Sequence, residues 1–211
     1  MGNLMSNVSS RFFIGLSAIM FVVAAMIAPA HAAEADPKAL VERVTSDLFS
    51  NVKGLKKGEI SDAQYNERVK STLDEVVNFP FIAANVMGKA AYSSATAVQR
   101  QAFASVFRDG LVNSYSKGIS GYADSDIKVV SVVADPKNAK RVTVQQEVTD
   151  KGTVHKLDYT MVQGVSGEWK VINVTLNGVN LGMSFSSQFK SSMRKHGNDL
   201  DKVIAGWLSE S

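Results

Sequence analysis

Trp169 to Phe189 reads WKVINVTLNGVNLGMSFSSQF. Apolar residues recur at Val174, Leu176, Val179, Leu181, Met183 and Phe185. Alternation of this kind suits a strand with one dry face and one wet face. The pattern passes Asn177-Gly178, runs on for several residues, and ends in a helix-like segment. The question it raises is what that dry face touches: an ordinary core, or something the protein carries.

Working back from this stretch, the same period of 2 reaches Asp126. Ile127 to Ala134, Arg141 to Thr149, Val154 to Val162 and Glu168 to Leu176 read as four strands. Asp135-Pro136-Lys137-Asn138, Asp150-Lys151-Gly152 and Gly164 to Gly167 supply the turns. Links this short imply an antiparallel meander. Val142, Val144 and Val148 share one face, and Leu157, Tyr159 and Met161 share one on the next strand.

Upstream, the period is that of a helix. Asp36-Pro37 opens the first, with Leu40, Val41, Val44, Leu48, Phe49 and Val52 as its stripe. Ser61 caps a second, carrying Tyr65, Val69, Leu73, Val76 and Val77. Phe79-Pro80 interrupts, and Phe81, Ile82, Val86 and Met87 predict a short third helix stopped by Gly88. A longer helix spans about Ala95 to Gly118, with Val98, Ala102, Phe103, Val106, Phe107, Leu111 and Tyr115 on its apolar face. Two more close the chain, about Leu181 to Lys195 and Asp199 to Leu208. Helices, four strands, then helices predict an α+β fold: a curved four-stranded antiparallel sheet covered by helices.

The first 32 residues stand apart. Arg11 precedes the sixteen-residue apolar run FFIGLSAIMFVVAAMI, Pro29 breaks it, and Ala30-His31-Ala32 has the small-x-small pattern of a cleavage site. This predicts a signal peptide over 1–32, cleaved after Ala32, and a single exported domain over 33–211. The run falls just short of a membrane span. Of 23 basic residues Arg11 alone would be lost, leaving 22 against 20 acidic ones. That balance gives no reason to expect nucleic acid, and permits only transient contact with a membrane. The chain has no cysteine, which excludes disulfides and thiolate metal sites.

Catalytic signatures are missing from the sequence. It holds no G-x-S-x-G, P-loop, G-x-G-x-x-G or H-E-x-x-H pattern. His155 and His196 are isolated, so no metal is expected. Asp158 and Glu147 alternate onto the face opposite the apolar set. An isomerase or hydrolase on such a sheet would need a carboxylate or histidine in an apolar setting. What is abundant instead is large apolar side chains, which suit either a solid core or a lipid pocket.

Two segments resemble the MlaC family, the toluene-tolerance auxiliary family of periplasmic phospholipid carriers. In the first the matching residues are Phe79-Pro80, Met87-Gly88, Thr96, Gln99-Arg100, Phe103 and Tyr115. In the second they are Trp169-Lys170-Val171, Gly178-Val179, Gln188-Phe189, Arg194 and Gly197. The match departs at Ala84-Asn85, Lys89 to Tyr92 and Phe185-Ser186. The resemblance implies a nuclear-transport-factor-2-like sheet and helices enclosing an acyl-chain cavity. It also implies a non-enzymatic shuttle, carrying phospholipid between an outer-membrane lipoprotein-porin complex and an inner-membrane MCE-domain ABC transporter. Phospholipid would be cargo, with no cofactor. The expected cavity lining is Val76, Phe81, Met87, Phe103, Val106, Phe107, Leu111 and Tyr115 from the helices. From the sheet and the segment after it come Val142, Val144, Val148, Leu157, Tyr159, Met161, Val174, Leu176, Leu181 and Phe185. Val144 and Phe107 are expected to face each other across the cavity. A protein of this fold with a solid core and an interaction role is the remaining alternative.

Overall fold

The computed structural model describes residues 36–122 and 124–207. The expected signal peptide and its cleavage after Ala32 lie outside the described residues, as does Leu208. Helix α1 is Pro37–Lys56. The Asp36 carboxylate accepts from the Lys38 amide at 3.0 Å, and Lys53 and Lys56 sit at the negative end of the helix dipole. Helix α2, Asp62–Val76, opens with a reciprocal capping pair between Ser61 and Gln64.

Helix α3 is Phe79–Ser94, capped by the Asn78 side chain, with Pro80 in its first turn. The helical path breaks at Gly88 as expected, and a further helical stretch follows it to Ser94. Gly88 sits at φ 73° and ψ 163°, a conformation open essentially to glycine alone. Helix α4, Ala97–Ser120, opens with a second capping pair, Thr96 with Gln99. Gln99 also donates to Asp201 Oδ1 at 2.9 Å, tying the start of α4 to α6 (Leu200–Gly206).

The sheet contains β1 (Asp126–Asp135), β2 (Asn138–Asp150), β3 (Thr153–Gln163), β4 (Trp169–Leu176) and β5 (Val179–Asn180). Its order is sequential and each neighbouring pair is antiparallel. There are five strands where four were expected. Asn177 at φ 49° and Gly178 at φ 83° form a two-residue hairpin turn whose twist matches its strands. Val179 then pairs with Leu176, and Asn180 with Thr175. The strand ends there because the Asn180 side chain accepts from the Met183 amide at 3.0 Å and caps α5 (Leu181–Lys195). Register shifts at Val129/Ser131 and Thr160/Met161 add the local bends that bulges bring.

Apolar side chains gather in three clusters rather than one. Between α3, α4, α5 and α6 lie Phe103, Phe107, Phe189 and Trp207, ring against ring at centroid distances of 5.0–6.3 Å. Against the sheet lie Leu40, Val41, Val76, Val142, Val144, Met161, Trp169 and Val171. Val52, Tyr65, Val69 and Val112 join α1, α2 and α4, with the Tyr65 hydroxyl donating to the Ser116 carbonyl at 2.8 Å. Helix α4 therefore buries Phe103 and Phe107 on one side and Val112 on another. Val98, expected on its apolar face, is 77% exposed.

Gly88 generates a direct test. A Cβ there meets nothing within 4 Å, so the only cost of Gly88→Ala is conformational. The substitution should lower stability by about 1–3 kcal/mol, read as a shift of the thermal midpoint. An unchanged midpoint would show that the kink does not need glycine.

Candidate functional site

A cavity of about 480 Å³ lies between the sheet and the helices. That is within the roughly 300–1,000 Å³ range of small-molecule sites. Helix α1 forms one wall with Leu40, Val41, Val44, Thr45, Leu48 and Phe49. The sheet forms the opposite wall, through inward positions of β2, β3 and β4. Helices α2, α4 and α5 contribute Leu73, Leu111 and Phe185 among others. A second hollow, between α1 and α2, is lined by polar residues, Asp47, Asn51 and Arg68 among them.

Of the expected lining, the structure brings together Val76, Leu111, Val148, Leu157, Tyr159, Met161, Val174, Leu176, Leu181 and Phe185. The others lie elsewhere. Phe81 is 46% exposed, on the outer side of α3. Met87, Phe103, Val106 and Phe107 belong to the cluster between the helices, where the rings satisfy one another. Val142 and Val144 are inward-facing as expected, but Leu40, Val41 and Trp169 fill the space over them. Val144 and Phe107 thus sit in separate clusters and do not face each other. The side chain of Tyr115 lies outside the described residues.

The largest omission from the sequence-based expectation is α1, which supplies a whole wall. Its stripe at 40, 41, 44 and 48 was visible as helical spacing. Nothing in that spacing said which element it would cover. Polar lining residues were also missed, Thr45 of α1 among them. Gln146 interrupts the inward series Val142, Val144, Gln146, Val148 on β2, and that interruption was the available signal. His155 precedes the inward series Leu157, Tyr159, Met161 on β3.

The polar groups of the cavity are few and mostly engaged. The Tyr159 hydroxyl donates to Gln146 Oε1 at 2.9 Å, and Gln146 Nε2 donates to Thr45 Oγ1 at 2.9 Å. Burial pushes the Tyr159 phenol well above its ordinary 10.0, because its anion would be poorly solvated there. His155 Nδ1 lies 3.3 Å from Asn177 Nδ2, and its ring meets Tyr122 edge-on at 5.6 Å. Among the described residues no carboxylate lines the cavity, and no group of three His, Cys, Asp or Glu side chains could hold a metal. A carboxylate–histidine pair for proton transfer is therefore not assembled there. What the walls do is present a largely apolar surface.

Comparison with known proteins places this architecture. The family model for MlaC protein matches residues 42–209. The chain belongs to the MlaC family. It is 34% identical over 176 residues to the toluene tolerance protein ttg2D of Pseudomonas putida, covering 82% of this chain and 80% of that one. Its fold is also that of a phospholipid-binding protein from Ralstonia solanacearum, solved in complex with a phospholipid. The TM-score is 0.72 at 22% identity, with 83% of this chain and 96% of that one covered. In this MlaC chain the motif residues are structural. Thr96 and Gln99 cap α4, Arg100 lies 4.5 Å over the Tyr92 ring, and Phe79, Phe103 and Phe189 fill the cluster between the helices.

The two environments should respond differently to truncation. Phe107→Ala empties a fully buried position packed against Phe103, Trp207 and the cavity-lining Phe185, and should cost about 3–5 kcal/mol. Leu157→Ala, at a half-buried cavity position, should cost about 1–2 kcal/mol. Denaturant unfolding of both variants checks this, and equal losses would contradict the separation of core from cavity. A second expectation concerns alkaline pH. Tyr65 and Tyr159 both carry phenols raised by burial above 10.0. The unfolded chain then releases those protons first, so their contribution is whole below about pH 10 and declines above it. Tyr159→Phe should flatten the loss of stability between about pH 10 and 11 relative to the parent. Parallel curves for the two proteins would count against the buried phenol.

Proposed function

We propose that this protein is a phospholipid carrier that encloses acyl chains in the cavity between α1 and the sheet. The observation that carries the reading is the cavity itself: about 480 Å³ with apolar walls and no carboxylate among the described lining residues. Membership of the MlaC family and the shared fold with a phospholipid-binding protein support it. On this reading the chain is exported to the periplasm, its signal peptide is removed after Ala32, and residues 33–211 act as one lipid-binding domain. It moves phospholipid between an outer-membrane lipoprotein-porin complex and an inner-membrane MCE-domain transporter, and so maintains outer-membrane lipid asymmetry. It is not an enzyme and needs no cofactor.

The energetics explain why such a carrier requires no chemistry. Each methylene removed from water gains roughly 0.8 kcal/mol, and two acyl chains hold about thirty. A free lipid therefore faces a gross cost of some 20 kcal/mol in crossing water. Bilayer and cavity are both apolar, so exchange between them is nearly balanced, and direction comes from the partner complexes. No helix among the described residues is long and apolar enough to cross a membrane. Contact with those complexes is therefore read as docking.

Organic extraction of the exported, purified protein followed by mass spectrometry tests the reading. Phospholipid should be recovered near one equivalent, from a chain whose mass begins at Ala33. A protein that carries no phospholipid, and takes none from vesicles, would remove the proposal in favour of an interaction module.

A further inference from the structure

The cavity is apolar except for His155 and one polar station built of several groups. Gln146, only 4% exposed, projects from the middle of β2 into the lining. It joins three elements: Tyr159 of β3 donates to its Oε1, and its Nε2 donates to Thr45 of α1, each at 2.9 Å. A structural clamp would use up its hydrogen-bonding capacity, and this one does not. An amide nitrogen has two N–H groups and a hydroxyl has one O–H. Among the described residues the second N–H of Gln146 and the O–H of Thr45 have no acceptor. Two donors are thus unused at a station that lines a largely apolar cavity. Buried donors without partners are unfavourable, so an occupant that supplies an acceptor is favoured over one that does not.

The acceptor that fits is neutral. No lysine or arginine lines the cavity among the described residues, so a phosphate oxygen would lack a countercharge there. An ester carbonyl joins two apolar stretches, accepts without donating and carries no charge. We infer that Thr45 and Gln146, held in place by Tyr159, bind an ester carbonyl of the bound lipid and so select diacyl-ester over ether-linked lipids. This rests on the phospholipid reading above and names the part of the lipid that the cavity recognises.

The test is a competition. The purified mature protein is incubated with vesicles holding equal amounts of a diacyl phosphatidylglycerol and its di-O-alkyl counterpart of matched chain length, then re-isolated and its lipid quantified. One neutral hydrogen bond corresponds to about a fivefold preference for the ester lipid. Thr45→Val together with Gln146→Leu and Tyr159→Phe replaces every partner by an apolar group and should bring the ratio of the lipids taken up near one. Thr45→Val alone, close to isosteric, should lower the ratio and decides the matter should the triple variant fail to fold. A parent ratio near one, or a parental ratio in folded Thr45→Val, overturns the inference while leaving the carrier intact. Uptake of neither lipid by the parent overturns the carrier reading itself.

Discussion

Four aromatic rings decide how this molecule is built. Phe103, Phe107, Phe189 and Trp207 pack against one another between α3, α4, α5 and α6. A helical layer usually buries its apolar face on the sheet it covers. Here much of that demand is met within the layer, so the helices need not press on the sheet over its whole length. Val142 and Val144 are covered tightly by α1, while Val148, Leu157, Tyr159 and Leu176 are left facing a hollow. A cavity beside a well-packed core follows from this division. If all the apolar side chains filled one space, the hollow would close.

Much of the architecture was legible because it rests on short-range rules. Asp36 and Ser61 announce helix starts through capping geometry, and each does so in the structure. Strand alternation placed the inward residues of β2 and β3 on the correct face. The two-residue strand β5 was hidden because Asn180 belongs both to the strand and to the cap of α5. The helical stretch after Gly88 was hidden because a glycine that stops one helix gives no sign that another begins directly behind it.

The candidate site was legible by half, and the division has a physical cause. Periodicity tells which residues of an element are apolar together, and says nothing of which neighbour they meet. Val142, Val144, Val148, Leu157 and Met161 were assigned to one inner face correctly, since a sheet has only two. The period of α4 reads as one apolar face, which would set Phe103 and Phe107 against the sheet. In the structure α4 is surrounded, with Val112 directed to the α1–α2 contact and Leu111 to the cavity. A helix covered on several sides cannot be oriented from its own pattern.

The unfilled part of the sheet has an energetic consequence. Closed apolar cavities cost about 24 cal/mol per Å³ in lost contacts. For about 480 Å³ the corresponding upper figure is on the order of 10 kcal/mol, as large as the net stability of an ordinary domain. A hollow of this size persists because the ring cluster, the α1–sheet cluster and the α1–α2–α4 cluster surround it and stabilise its frame independently. On the carrier reading, an occupant restores the missing contacts and adds to stability in proportion to how well it fills the space. The same contacts that hold a lipid in place are those it exchanges when it leaves for another apolar environment. A protein that spent its apolar surface on a single solid core would be more stable and would have nothing to exchange.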